Sequence, residues 1–580
     1  MHTKNGLVCL CMLENSLVRT PHNGMLYCID GTLQGFDGNK FLKLGKGKMV
    51  TYKQYYQQRH GIKLQFERQT FLKGKHIFTV HNYLDRSRIP SSKEPGNRTC
   101  ELPPELCSII MSPICVSTFY SFSFLPSVMH RIESLLIAAS LKSMHEDHCT
   151  QNVVIPTVMA LEAITTKKCQ ENIHLESLET LGDSFLKYAA SQQLFKTYQN
   201  GHEGLLSLER EKIISNPALC KLGCDRNITG FIRDEKFDPK TWIIPGTNCA
   251  DRILNEEMLS SSKKVYDGGI RKIKQKTVAD VVEALIGAYL SVGGEIAALS
   301  FMAWLGIKVD LEYVPCTRNF AVKPEMYVNV RKLESLLNYS FRDATLLVEA
   351  LTHGSYMLPE IPGCYQRLEF LGDAVLDYLI TLDLYKKYPR LSPGLLTDLR
   401  SMSVNNECYG QSAIKWELYK HILHSSPGLF QQILRAVDSF EESPSTVAWE
   451  SETHFPKVLG DVIESLAGAI FVDSGYNKDI VFKSMRRLLE PLVTLETLKL
   501  HPVRELTELC QREHYILQTV FSSQNGIMYC TVEVKARGIV HKETQSVTNK
   551  NKKTAERLTC KAVLKRLKES MSVKANRSLV

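Results

Sequence analysis

The sequence predicts a multidomain, mainly α-helical chain: a β-rich domain first, two homologous all-α domains next, and a compact α-β-β-β-α module last. Three observations carry that prediction. Residues 1 to about 90 alternate β-rich pieces with Gly- and Asn-marked turns. Three matched blocks then recur in the same order, within long apolar stretches of helical spacing. The end of the chain passes from a helix through three strands to a basic helix. The expected limits are 1–110 for the β-rich domain with its linker, 126–308 and 330–495 for the helical domains, and 499–570 for the module.

At 580 residues the chain is too long for one hydrophobic core. Its 44% hydrophobic and 23% charged residues are those of a globular protein and exclude large-scale disorder. A net charge of +9 permits a polyanionic partner without requiring one. The 17 cysteines form no CxxC pair, so they read as reduced core thiols of an intracellular protein, not as disulfides or a zinc site. The start, MHTKNGLVCLCMLENSLVR, lacks a long apolar segment and a cleavage site. The longest uncharged stretch, Leu106 to Met129, is broken by Pro113 and Pro126 and diluted by Ser and Thr. It reads as an interdomain segment, and no membrane contact is expected.

In the first domain MLYCIDGTLQGF and IFTVHNYL are strand-like, with the basic stretch KFLKLGKGK between them. Ser91 to Leu106, SSKEPGNRTCELPPEL, reads as a linker. Helices begin with VMHRIESLLIAASLK. VVEALIGAYLSV and its echo VIESLAGAIFVDSG are apolar enough to be buried on most sides. The polar region from about 225 to 275, ending in RKIKQK, reads as a solvated insertion loop.

The repeat organises the middle of the chain. LESLETLGDSFLKY is followed, 97 residues later from Asp to Asp, by KTVADVVEALIGAYL. YQRLEFLGDAVLDY is followed 88 residues later by KVLGDVIESLAGAIF. Between them LSLEREKIISN echoes LTDLRSMSVNN. The closing module has nine Lys/Arg against two Glu between Lys542 and Lys568, as a polyanion-binding unit would.

Residues three or four apart on a helix share a face. Glu179 and Asp183 are so spaced, as are Asp280 and Glu283. Glu369 with Asp373 and Asp461 with Glu464 repeat both spacings among apolar neighbours. If the two helices of each domain face each other, four carboxylates converge. Such a cluster needs a cation or a shared proton. With no His or Cys in the pattern, the oxygen-only set suits Mg²⁺ or Mn²⁺ rather than zinc. A pair of such ions can activate water against a phosphodiester. Gly182 and Gly372 are poor helix formers, and close approach of another helix explains both. Lys276 and Lys457 lie four residues before the Asp of the second pair, where they order the carboxylates, touch a phosphate or balance charge. Asn216 and Asn406 close the middle echo, placed either to bond near the acids or to start a helix.

The LGD stretch, the D-x-x-E helix and, in the second copy, ALTHGSY resemble the ribonuclease III signature. Two such domains followed by a basic module like a double-stranded-RNA-binding domain resemble the Dicer-like members of that family, and the wording is most similar to the plant type. TYKQYYQQRHGIKL and its surroundings resemble a PAZ domain. The resemblance implies an intramolecular pseudo-dimer of ribonuclease III domains in a monomeric chain. It makes Glu179, Asp183, Asp280, Glu283, Glu369, Asp373, Asp461 and Glu464 catalytic, with two metal ions per domain held mainly by Glu179, Asp280, Glu283, Glu369, Asp461 and Glu464. Tyr55 and Tyr56, with Tyr52 and Arg59, would hold an RNA 3′ end, and Lys550, Lys552 and Lys553 would grip phosphates. The second copy departs from the usual outer acid, with Gln366 where the first has Glu176, and the module lacks a G-P-x-H turn.

The expected function is a Mg²⁺-dependent endoribonuclease that cuts double-stranded RNA into short interfering duplexes with two-nucleotide 3′ overhangs, for RNA silencing and antiviral defence. The alternative is a non-catalytic or truncated duplex-RNA scaffold. Accessory double-stranded-RNA-binding proteins are expected partners, and the nucleus the compartment, with the cytoplasm as alternative. No GxxxxGK[ST] occurs, so no ATP site is expected, and no helicase-like region precedes the PAZ-like part.

Overall fold

A computed structural model of the chain describes residues 1–43, 49–76, 81–86, 99–110, 118, 121–146, 154–242, 266–267, 270–311, 322–356, 360, 363–389, 391, 393–442, 455–490, 494–495, 502–524, 527–536, 539–548 and 552–577. The chain divides into two compact units, residues 1–183 with 213–309 and residues 184–212 with 310–580. The division does not follow the repeats. It falls inside the helix that carries the first LGD, so the rest of that helix packs with the second repeat.

The N-terminal domain contains β1 (Leu17–Thr20), β2 (Met25–Leu33), β3 (Phe41–Lys43), β4 (Met49–Thr51), α1 (Tyr52–His60), β5 (Phe71–His76), β6 (Thr99–Leu102) and β7 (Ser108–Ile110). Five strands form an antiparallel sheet in the order β6-β5-β2-β1-β7, and β3 pairs with β4. A bulge between Ile29 and Thr32 interrupts β2, and Gly31 there takes φ +128°, a conformation that a Cβ would disfavour. The linker expected at Ser91–Leu106 is corrected at its end. Thr99–Leu102 is a strand because the Leu102 side chain is buried in the sheet's core. Residues 91–98 of that stretch lie outside the described residues. Helix α1 starts at a capping box, in which Thr51 and Gln54 satisfy each other's backbone N–H.

The helical part of the first unit contains α2 (Leu125–Glu146), α3 (Thr157–Ala163), the start of α4 (Glu176–Thr197), α6 (Asn216–Asp225) and α7 (Gln275–Leu305), while the rest of α4 and nearly all of α5 (Glu203–Ile214) belong to the second unit. Helix α7 is long and apolar enough to cross a membrane, but it is a core helix broken at Gly294. From Val278 to Leu290 every residue except Asp280 and Glu283 is buried. The solvated loop expected at 225–275 is corrected at its start, where Ile228, Ile232 and Phe237 are buried, and residues 243–265 and 268–269 lie outside the described residues.

The second unit contains α8 (Val330–Leu337), α9 (Thr345–Leu351), α10 (Gln366–Lys387), α11 (Pro393–Ser403), α12 (Asn406–Lys415), α13 (Pro427–Glu442), α14 (Lys457–Asp473) and α15 (Lys478–Leu489). From Val458 to Phe471 every residue of α14 except Glu464 is buried. The closing module follows as α16 (Pro502–Arg512), β8 (Ile516–Gln524), β9 (Ile527–Ala536), β10 (Ile539–Thr548) and α17 (Lys552–Arg577). Its antiparallel sheet, in the order β8-β9-β10, packs Cys530, Val532 and Val534 against Ala555, Cys560 and Val563 of α17. Arg504 and Arg557 tie the module to Asp398 and Glu407 of the second repeat.

Candidate metal centres

Each centre is built where two helices cross at glycines. A Cβ on Gly182 would lie 1.8 Å from the carbonyl oxygen of Glu283, and one on Gly287 would lie 2.1 Å from that of Leu178. In the second repeat the distances are 1.8 Å from Gly372 to the Glu464 oxygen and 2.2 Å from Gly468 to the Leu368 oxygen. Only paired glycines permit this approach, and it brings the acids of both helices to one edge of the crossing.

In the first unit the carboxylates of Glu179, Asp280 and Glu283 place oxygens within 4.8 Å of one another. Burial, then the charges of Asp183, Glu179 and Asp280, push the Glu283 carboxyl up to about 9. Burial and Asp280 push Glu179 up to about 7. Asp183 lies one turn beyond Glu179, close enough for its charge to act on both groups. Lys276 Nζ is 2.7 Å from Asp280 Oδ1 and 3.7 Å from Glu179 Oε1. Asn216 opens α6 from an exposed position.

In the second unit Glu369, Asp461 and Glu464 repeat the arrangement within the same 4.8 Å. Burial raises all three, most strongly Glu464, on which Asp373 is the leading charge. Lys457 Nζ lies 2.8 Å from Glu369 Oε1 and 3.1 Å from Asp461 Oδ1. The Tyr365 hydroxyl donates to Asp461 Oδ2 at 3.0 Å. Leu175 holds the matching place in the first repeat, so that bond has no counterpart there. Asn405, not Asn406, caps α12, through the Cys408 N–H. Asn406 instead lies over Gly460, its Oδ1 2.0 Å from where a Cβ would stand, beside Asp461.

The residues fit a hard divalent cation. Asp461 Oδ1 is buried and accepts no hydrogen bond apart from its ion pair with the Lys457 ammonium at 3.1 Å, and its oxygen-donor neighbours Glu369 and Glu464 are raised by burial and mutual repulsion. A bound cation would relieve both penalties.

The other candidate residues are placed differently. Tyr52 and Tyr56 are core residues of the N-terminal domain, 5% and 6% exposed. Tyr55 is half-buried, with the exposed Arg59 guanidinium 5.8 Å from its ring centre. His22 joins this cluster edge-on, 5.7 Å from Tyr56 and 4.9 Å from His60. Sequence spacing did not single out either histidine, because His22 comes from a loop remote in sequence from α1. Lys552 begins α17, exposed, with Nζ 4.3 Å from the Phe521 ring centre. Lys553 is in the first turn of α17, and Lys550 lies outside the described residues.

Known proteins agree with this organisation. The ribonuclease III domain matches residues 176–294 and 366–475, the PAZ domain residues 2–135, and the double-stranded RNA binding motif residues 502–567. The chain is 56% identical to Endoribonuclease Dicer homolog 2 of Arabidopsis thaliana, over 98% of this chain and 40% of that protein. It is 46% identical to Endoribonuclease Dicer homolog 2a of Oryza sativa subsp. japonica, again over 98% and 40%. The crystal structure of Dicer from Giardia intestinalis is 14% identical over 84% of this chain and 80% of its own, at a TM-score of 0.34. The chain spans about two fifths of the length of the curated relatives it matches. With a PAZ domain, paired ribonuclease III domains and a double-stranded RNA binding motif in one chain, it belongs to the plant Dicer-like branch of the ribonuclease III family.

Proposed function

We propose that this chain is the nuclease part of an endoribonuclease that cuts both strands of double-stranded RNA into short interfering duplexes. The observation that carries the reading is the pair of complete carboxylate clusters, each set in helices whose buried residues are otherwise mostly apolar or small. Glu179, Asp280 and Glu283 in one unit, and Glu369, Asp461 and Glu464 in the other, would hold Mg²⁺ or Mn²⁺, two ions per domain, with Asp183 and Asp373 alongside. When bound, such ions supply an activated water and neutralise the departing oxygen of the phosphodiester. The chain's residues hold the acids for that work. Lys457 bridges Glu369 and Asp461, Tyr365 fixes one oxygen of Asp461, and Lys276 braces Asp280. Tyr55, Arg59 and the basic module supply surfaces on which an RNA end and its phosphates would rest.

Each centre cuts one strand, and the offset leaves two-nucleotide 3′ overhangs. The products serve RNA silencing, including antiviral defence, in the nucleus and with accessory double-stranded-RNA-binding proteins. The test is cleavage of end-labelled duplex RNA by the purified chain, with and without Mg²⁺, beside Glu283→Gln and Glu464→Gln. The parent should give short duplexes, and each variant should leave one strand uncut. A folded, RNA-binding parent that cuts neither strand in Mg²⁺ or Mn²⁺ overturns the reading.

A further inference from the structure

Residues 184–212 of the first repeat belong to the same unit as the second repeat. Within it Tyr188 and Tyr378, the same position in the two repeats, stack at 4.9 Å with planes 16° apart. Equivalent residues meeting face to face mark a local two-fold relation between α4 and α10. One residue earlier the relation is broken by charge: the first repeat has Lys187 and the second Asp377. Lys187 Nζ crosses to the second repeat, 2.9 Å from Asp373 Oδ2 and 3.4 Å from Asp377 Oδ2. Asp377 is buried and held on its other side by Arg400, whose Nε and Nη2 donate to its two oxygens at 2.7 Å each. Arg210, which matches Arg400 in the repeat, has no such acid. It donates to Ser191 Oγ at 3.1 Å and lies 4.5 Å over the Phe370 ring centre.

Asp373 is the leading charge on Glu464 at the second centre. A cation that fixes it therefore sets how that centre's acids are aimed and how strongly they repel. We infer that Lys187 of the first repeat is a positioning residue of the second centre. The second cut therefore depends on the first repeat through Lys187. This rests on the hydrolytic reading above.

The test is strand-resolved cleavage of a duplex RNA with different labels on its two strands, with Mg²⁺ titrated. Glu283→Gln and Glu464→Gln first assign each cut to a centre, and if neither abolishes a cut, the hydrolytic reading falls and the inference with it. Lys187→Met should slow the cut assigned to the second centre about 10-fold or more and raise the Mg²⁺ needed for half-maximal rate, in the range seen when groups orienting metal ligands are removed. The first cut should keep its rate. Lys187→Arg retains the charge and should recover most of the loss, while thermal unfolding of both variants reports any general weakening. Equal slowing of both cuts, unchanged rates in Lys187→Met, or an Arg variant no better than the Met variant overturns the inference.

Discussion

Gly372 lies so close to Glu464 that a Cβ added to the glycine would stand 1.8 Å from the glutamate's carbonyl oxygen. The obstacle is backbone on both sides, since the same Cβ would be 2.8 Å from the Gly468 nitrogen. A flexible side chain cannot move aside to absorb it. Gly372→Ala must therefore push α10 from α14, at a cost of about 1–3 kcal/mol or more. Thermal unfolding should shift down clearly, and the cut made by the second centre should be lost. Gly428→Ala, whose nearest neighbour is the Ser426 hydroxyl at 4.0 Å, serves as the control and should leave both properties intact. Equal unfolding temperatures for the two variants would contradict the packing account.

That crossing also explains how much of the molecule could be read in advance. Glycine and carboxylate are the two residue types that an apolar core helix has least reason to carry, and both recur at fixed spacing in the two repeats. Acids in α4, α7, α10 and α14 are legible because each helix positions them independently of any partner. Tyr365 and Lys187 are not legible that way. One adjoins a helix and the other sits on the LGD helix of the other repeat, and only tertiary packing brings them to Asp461 and Asp373. Likewise Tyr52, Tyr55 and Tyr56 are indistinguishable by spacing, and burial against Phe71 and Leu64 separates them.

The hydrogen bond from Tyr365 to Asp461 exists only in the second repeat, where Leu175 is the first repeat's counterpart. It occupies Oδ2 and leaves Oδ1, which faces the Lys457 ammonium at 3.1 Å, toward the cluster. Tyr365→Phe keeps the ring and removes the donor. The second cut should then need more Mg²⁺, with an apparent affinity lower by about 10-fold, while the first keeps its Mg²⁺ dependence. A Mg²⁺ titration of each labelled strand checks this, and parallel curves for parent and variant would refute it.

Burial and three neighbouring acids, Asp183, Glu179 and Asp280, hold Glu283 up to about 9 in the absence of a cation. A carboxyl so raised must take up a proton on folding near neutral pH, so replacing it with the neutral Gln should help the fold when no metal is present. Glu283→Gln is expected to unfold at higher temperature than the parent in EDTA, by at least about 1 kcal/mol, since each unit of pKa shift corresponds to about 1.4 kcal/mol. Mg²⁺ should raise the parent's unfolding temperature and leave the first centre of the variant unresponsive. A variant less stable than the parent in EDTA would show that Glu283 carries a packing role that outweighs repulsion.

Asp377 gives a pH dependence of opposite sign. Arg400 and Lys187 hold its carboxyl below the usual carboxylate range despite burial. A group with a depressed folded value adds stability above its unfolded value, near 3.9 for Asp, and loses it as pH falls through the folded value. The parent should therefore keep this contribution from pH 7 to pH 5 and lose it below about 4. Asp377→Asn should cost about 3–5 kcal/mol at pH 7, because Arg400 loses its buried partner, and should show a shallower decline in acid. Urea midpoints at three pH values measure both slopes, and parallel curves would exclude the pair as a source of acid lability.

The tyrosines of α1 separate by what their rings touch. Tyr52 packs on Phe71 at 5.1 Å, edge to face, in the domain's core. Tyr55 keeps part of its ring accessible beside the Arg59 guanidinium and His60. Tyr52→Ala should cost about 3–5 kcal/mol of stability, as truncation of a buried aromatic does, and weaken RNA binding only through unfolding. Tyr55→Ala should leave the unfolding temperature nearly unchanged. It should weaken binding of a duplex with a free 3′ overhang by about 1–3 kcal/mol, the value of one base stacked on an aromatic ring. Binding of a blunt or hairpin-closed duplex should not change. Circular dichroism melting and fluorescence anisotropy with the two RNAs separate the cases. If Tyr55→Ala lowers affinity equally for open and closed ends, the ring contributes to general RNA contact and holds no terminal nucleotide.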